Sequence, residues 1–297
     1  MACPQSVCLL ATLAYADIFD YPLTREELRL WCIKKNIRDQ VPALPGAGAE
    51  HRDGLYFLRA RGRIVSQRKK RQAASFAKWR IARWVALWLR LVPTIQLVGV
   101  TGGLAMDNVG KEDDIDLFII TKSGTIWISR MIAALIVSVL GRRRKPEESM
   151  VADKVCLNMF MSEESVEIVK KERDLFAAHE VLQMKPLWER GNIYKTFLDK
   201  NRWVATFLPN AWAAKSKASS IEPREVGLKF GILCLRFMEQ PAKVFQLWYM
   251  NKRRTSEVVG DYVLRFHPRD ARVWVKEALR KRLDHLDIPL DKIFYFR

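Results

Sequence analysis

The chain has 297 residues, enough for two or three ordinary domains, and 49% of them are apolar, so a sizeable core can be buried. Lysine and arginine total 51 against 33 acidic residues, and the resulting +18 favours polyanionic partners such as nucleotide phosphates, nucleic acid or an anionic surface without bearing on fold. The five cysteines, Cys3, Cys8, Cys32, Cys156 and Cys234, form no C-x-x-C pair and the four histidines are scattered, which excludes a disulfide framework and a zinc motif and leaves the cysteines as small apolar fillers.

The start of the chain lacks the basic segment and cleavage site of a signal peptide, and unpaired cysteines fit a reducing cytoplasm. Residues 6–35 read as two helices. The first carries Val7, Leu9, Leu10 and Leu13; the second, Arg25 to Lys34, starts at a capping box of Thr24 and Glu27. Asp17 and Asp20 flank Phe19 at the turn between them. Residues 36–54, rich in Pro, Gly and Ala, read as a loop. The stretch GLYFLRARGRIVSQRKKR then gives two short strand-like runs about Arg61-Gly62, so helices followed by a basic hairpin make a winged-helix-like pattern. A helix over 72–91 carries Trp79, Trp84 and Trp88 at helical spacing, a stripe expected to face the core. Between Arg52 and Arg90 there are twelve basic residues and one acid, Asp53, and the run 59–71 suits a nucleic-acid backbone as a partner.

Beyond Pro93 the pattern changes. TIQLVGV is an apolar strand, followed by Thr101-Gly102-Gly103, a short segment to Asn108, a polar turn over 110–113 and a second strand, Asp114 to Thr121. A helix over 125–140 and a third strand, KVCLNMFMS over 154–162, complete an α/β layer. The largely apolar run from Met131 to Leu140 falls short of the roughly 20 residues of a spanning helix, so a buried helix and no stable membrane insertion are expected. Arg142, Arg143, Arg144 and Lys145 after it suit a helix C-terminus. Beyond Glu163 the pattern is mostly helical: ERDLFAAHEVLQM, then TFLDKNRWVATFLPN stopping at Pro209, a polar linker over 214–224, and helices over 225–252 and 269–285. His179 and Glu180 read as residues that brace a helix.

The strand at 114 opens Asp114-Ile115-Asp116, and side-chain alternation sets both carboxylates on one face, where they repel. Divalent cations remove that conflict. Mg²⁺ or Mn²⁺ binds oxygen ligands and substrate phosphates, and two such ions about 4 Å apart activate an attacking hydroxyl and stabilise a leaving pyrophosphate. Gly102 and Gly103 let backbone N–H groups approach a phosphate at the start of a short helix.

Gly102-Gly103, ten residues, then Asp114-Ile115-Asp116-Leu117 resembles the polymerase β-like nucleotidyltransferase superfamily, over roughly residues 92–162. The segments FDYPLT, CLNMF, AHE and FLPN are also similar to those of bacterial proteins carrying this domain. The resemblance implies an α+β fold with a small mixed-sheet core. It implies Asp114 and Asp116 as catalytic metal ligands, Gly102 and Gly103 as the seat of the triphosphate with Thr101 adding a hydroxyl, and an NTP as substrate. It also puts a third carboxylate on the next strand, where this chain offers Asn158; Asp153, Glu163, Glu164 and Glu167 are the other acids near that strand.

The expected organisation is a winged-helix-like basic domain over 1–90, a nucleotidyltransferase core over 91–175 and a helical domain over 176–297. The expected activity is transfer of a nucleoside monophosphate from an NTP to an acceptor hydroxyl or phosphate. The alternatives are a catalytically weak nucleic-acid-binding protein, or a modifying enzyme of toxin–antitoxin or resistance type.

Overall fold

The computed structural model describes residues 4–37, 48–145, 148–217, 229–251, 258–266 and 271–289. Most of the expected loop at 36–54, most of the linker at 214–224, and Cys3 lie outside the described residues. The fold is α+β, and no described helix is long and apolar enough to cross a membrane.

The N-terminal part holds α1 (Gln5–Asp17), β1 (Leu23–Thr24), α2 (Arg25–Leu30), β2 (Ala49–Arg52) and β3 (Leu55–Leu58), the strands forming an antiparallel sheet in the order β1-β3-β2. The capping box forms as the sequence implies. Thr24 Oγ1 accepts from Glu27 N–H at 3.1 Å, and Glu27 Oε2 accepts from Thr24 N–H at 2.9 Å. The hairpin turns at Asp53-Gly54 rather than at Arg61-Gly62. Both turn residues have positive φ, 52° and 75°, as a tight two-residue connection demands. The segment expected to be its second strand is instead the start of α3 (Arg63–Leu89), so the basic run lies on a helix and not on a hairpin wing. Long unbranched side chains (Gln67, Arg68, Lys69, Lys70, Arg71, Gln72) favour helix there over strand.

The main sheet contains β4 (Ile95–Val100), β5 (Ile115–Thr121) and β6 (Val155–Ser162), with a short helix α4 (Gly102–Ala105) after β4 and α5 (Ile126–Val139) crossing from β5 to β6. β4 and β5 are antiparallel; β5 and β6 are parallel, as a helical crossover permits. Three further strands come from the region expected to be mostly helical: β7 (Lys185–Glu189) on β4, and β8 (Val258–Val259) with β9 (Val263–Arg265) on β6. The order is β7-β4-β5-β6-β9-β8. These strands are short and lack clean alternation, so period-2 patterning does not mark them in the sequence.

The remaining helices are α6 (Leu175–Gln183), α7 (Ile193–Lys200), α8 (Pro209–Lys217), α9 (Lys229–Phe237), α10 (Glu239–Met250) and α11 (Ala271–His285). Pro209 does not stop a helix but opens α8, where its missing N–H costs nothing.

Alternation sorts β5 between two cores. Ile115, Leu117 and Ile119 face a core shared with the second half of α3, α5 and α10. Phe118 and Ile120 face a second core shared with α1, α6, α7 and α11. The second core runs without a break from α1 to β5, and α3 reaches from the N-terminal sheet to the main sheet, so packing continues across residue 90. Of the tryptophan stripe, Trp79 is half-buried and donates to Asp107 at 2.6 Å, while Trp84 and Trp88 are exposed and not in the core.

Candidate active site

Asp114 and Asp116 lie on the face of β5 that carries Phe118 and Ile120, under α6. The turn before β5 is held from within. Lys78 on α3, 1% exposed, donates to the carbonyls of Lys111 (3.0 Å) and Asp113 (2.6 Å) and pairs with Asp153 at 2.9 Å. A buried ammonium needs such partners, and here they fix where the two-aspartate segment begins. Thr101 N–H donates to the Asp116 carbonyl at 3.1 Å, joining the end of β4 to the same point.

Gly102 has φ +63°, and a Cβ there would come to 2.7 Å from Asp116 Oδ2. Only glycine fits both the backbone and the space. Gly103 is equally confined: a Cβ would meet Val109 at 3.0 Å and the Asn108 carbonyl at 3.2 Å. The glycine pair thus brings main chain directly against a carboxylate, which a plain turn does not require.

Parallel pairing sets Cys156 of β6 opposite Asp116. Ligand atoms of Asp114, Asp116 and Cys156 all lie within 4.8 Å of one another. Asn158 lies two residues on, at a register shift between β5 and β6, and faces a cavity with Thr101 and Glu180. The four acids near β6 do not join the cluster. Asp153 holds Lys78, Glu163 holds Lys122 at 3.0 Å, Glu164 accepts from Ser123 Oγ at 2.7 Å, and Glu167 pairs with Arg173. Sequence reading missed Cys156 because the position opposite Asp116 depends on register. The alternation of 154–162 was visible, the alignment with β5 was not.

The electrostatics are unbalanced. Burial, the Asp114 charge and then the Glu180 charge raise Asp116 to about 7, against a smaller opposing pull from Arg144. Glu180 on α6 is raised by burial, also to about 7. Its carboxyl makes no hydrogen bond or ion pair among the described residues and borders two cavities. Burial and the two aspartates hold the Cys156 thiol well above its usual range, so it is a neutral hydrogen-bond partner of Asp116. Among the described residues the cation in contact with the aspartates is the partly exposed Arg144, 2.5 Å from Asp114 Oδ2. Its neighbour Arg143 bridges to Val155, which brings the basic segment after α5 to the site.

This donor set fits a hard divalent cation: two carboxylates at one point, one of them driven toward protonation by burial and by its acidic neighbours, and a glycine whose bare main chain lies against it. His179, in contrast, has the bracing role its position suggested. Its ring stacks on Tyr15 at 4.0 Å, Nδ1 bonds to Gln183 at 3.1 Å, and burial lowers it to about 3, so it stays neutral.

The basic run at 59–71 is largely engaged within the fold. Arg61 pairs with Asp17 and Asp20, Arg68 with Glu27, Lys69 with Asp53 and Arg71 with Asp20; Arg59, Arg63 and Lys70 point outward. No protein-family model matches this chain, and no curated protein or solved structure is detectably similar to it.

Proposed function

We propose that this protein is a nucleotidyltransferase that moves a nucleoside monophosphate from an NTP to an acceptor hydroxyl, with release of pyrophosphate. The observation that carries this reading is the approach of Gly102 to the Asp116 carboxylate, beside Asp114 and under unbalanced negative charge. A structural acid pair would be expected to close its charge within the fold; this one keeps bare main chain against a carboxylate.

Asp114 and Asp116 would hold Mg²⁺ or Mn²⁺, which when bound supplies charge neutralisation for the triphosphate and the developing pyrophosphate. Gly102 and Gly103 leave room for the phosphates, and Thr101 fixes the glycines to β5 through its bond to Asp116. Arg144 gives up Asp114 and turns its guanidinium to phosphate oxygens, which suit its planar fork. Glu180 is the group placed to take the acceptor's proton on its carboxylate, since its affinity for protons near neutrality matches that task. Cys156 supports Asp116 through its hydrogen bond and is not required to ionise.

The reading is tested by incubating the protein with each α-labelled NTP, Mg²⁺ or Mn²⁺, and pooled RNA, DNA, protein and small-molecule extract, with Asp116→Ala as control. The expected result is pyrophosphate release and label transfer by the wild type alone. Equal labelling by Asp116→Ala sinks the assignment. A nucleic-acid-binding role rests on the basic run, and there only Arg59, Arg63 and Lys70 of the seven cations are free of described ion pairs.

A further inference from the structure

A cavity of about 130 Å³ lies between the β5–β6 face and α6. Its walls are apolar and deformable, with Phe118, Met159, Met161, Phe176, Met184 and Phe197 among them. Its polar lining is Thr101, Asn158, Glu172, Glu180, Arg265 and Arg272; Glu172 pairs with both arginines, at 2.8 and 3.5 Å, while Thr101 and Glu180 tie the cavity to Asp116, Thr101 by its backbone hydrogen bond and Glu180 through its charge.

Two of these polar groups are left without partners. Asn158 is 5% exposed and its Oδ1 accepts no hydrogen bond among the described residues; Thr101 Oγ1 is buried and equally unbonded there. A buried polar atom left unpaired is costly, and native structures keep few of them. Two orphans lining one cavity, with a carboxyl that makes no hydrogen bond beside them, form a polar cluster awaiting a ligand.

We infer that this cavity holds the acceptor, a small molecule with an apolar body and one hydroxyl. The inference rests on the nucleotidyl-transfer reading and names the substrate class of that same site. Size supports it: a dry engineered cavity of about 150 Å³ takes benzene, so the volume here suits a single ring or a short branched chain. A polymer strand or a folded protein would not enter it. Polarity supports it as well. A nucleobase presents hydrogen-bonding edges around its ring, whereas most of this wall is methionine, phenylalanine and aliphatic surface and its charged residues Glu172, Arg265 and Arg272 are paired with one another, an arrangement that suits an alkyl or aryl body.

In the reaction the acceptor hydroxyl sits at Thr101, Asn158 and Glu180. Its oxygen forms the new bond to the α-phosphorus, the bond from that phosphorus to the bridging oxygen breaks, and pyrophosphate leaves with the electron pair. The hydroxyl proton passes to Glu180 and on to water.

The test is a fluorine NMR titration of the full chain, without nucleotide, using 4-fluorobenzyl alcohol and 4-fluorotoluene. Saturable binding is expected for both, severalfold tighter for the alcohol. Thr101→Val should remove the preference for the alcohol and keep 4-fluorotoluene binding, and Ala177→Phe, which fills the cavity, should abolish both. No saturable binding, or binding undiminished in a folded Ala177→Phe, overturns the inference. Calorimetry with Mg²⁺ and α,β-methylene-ATP separates the two claims. Nucleotide binding together with alcohol binding supports both. Nucleotide binding without alcohol binding overturns only the acceptor pocket. Alcohol binding without nucleotide binding overturns the nucleotidyl reading, and the acceptor role with it. Competition between nucleotide and alcohol makes the cavity a base pocket and overturns the acceptor assignment.

Discussion

Two of the charged clusters in this molecule contrast, one under the N-terminal sheet and one on β5. In the first, Arg68 donates to both oxygens of Glu27, at 2.7 and 2.8 Å. Tyr21 Oη donates to Glu27 at 2.7 Å, and the guanidinium lies over the Tyr21 ring at 4.4 Å. Despite the opposing effect of burial, the hydrogen bonds raise Arg68 and lower Glu27, so both keep their charge. In the second, Asp114 and Asp116 have one partly exposed guanidinium, Arg144, Glu180 feels only the charge of Arg265 without a described ion pair, and burial pushes Asp116 and Glu180 toward neutrality. Similar residue types give opposite shifts because one cluster closes its charge balance and the other leaves it open. A closed cluster is a brace; an open one is a place for an external cation.

The largest effect expected from breaking this contrast is in the closed cluster. Arg68→Ala strands a mostly buried carboxylate and should lower stability by about 3 kcal/mol. Denaturant unfolding measures that loss, and the stabilisation by Mg²⁺ plus NTP should persist in the variant. If that stabilisation disappears, the two clusters are not independent.

Gly102→Ala comes next. It places a side chain at positive φ and against Asp116, at a cost of about 2 kcal/mol. Unlike Arg68→Ala it should also eliminate the Mg²⁺- and NTP-dependent rise in melting temperature, because it occupies the space beside the carboxylate. A retained rise in a folded variant would move the binding site elsewhere.

Asp116→Asn should stabilise the metal-free protein. The folded-state pKa, about 7, stands above the unfolded value of 3.8, so the folded chain binds the extra proton between them. The associated stability is fully present below the unfolded value and is lost as pH rises through about 7. In EDTA the variant should therefore melt above wild type near pH 8, and the two curves should converge near pH 4. A variant less stable than wild type at alkaline pH contradicts repulsion at the site.

Arg144→Ala should have the smallest consequence. Its pair with Asp114 is partly exposed, so the stability change should stay within about 1 kcal/mol. Removing a competing cation should tighten Mg²⁺ binding measured by calorimetry, while NTP binding weakens through loss of a phosphate contact. Tighter NTP binding would remove Arg144 from the triphosphate site.

Much of this molecule was legible in its residues. Apolar runs bounded by glycine and proline marked β4, β5 and β6, the capping box marked α2, and apolar content marked α5. Asp114-Ile115-Asp116 with the glycine pair marked the candidate site, because two like charges on one strand face conflict with an apolar strand unless something external resolves them. Tertiary structure alone decided the rest. Register set Cys156 opposite Asp116, and α6 brought Glu180 beside them from more than sixty residues away in sequence. The basic run, read as part of a hairpin, lies mostly on a helix, and four of its seven cations are spent on Asp17, Asp20, Glu27 and Asp53. Local pattern fixes which residues repeat on a face. Which face meets which, and which charge finds its counterion, depends on contacts between residues far apart in the chain, and one sequence read in order does not carry them.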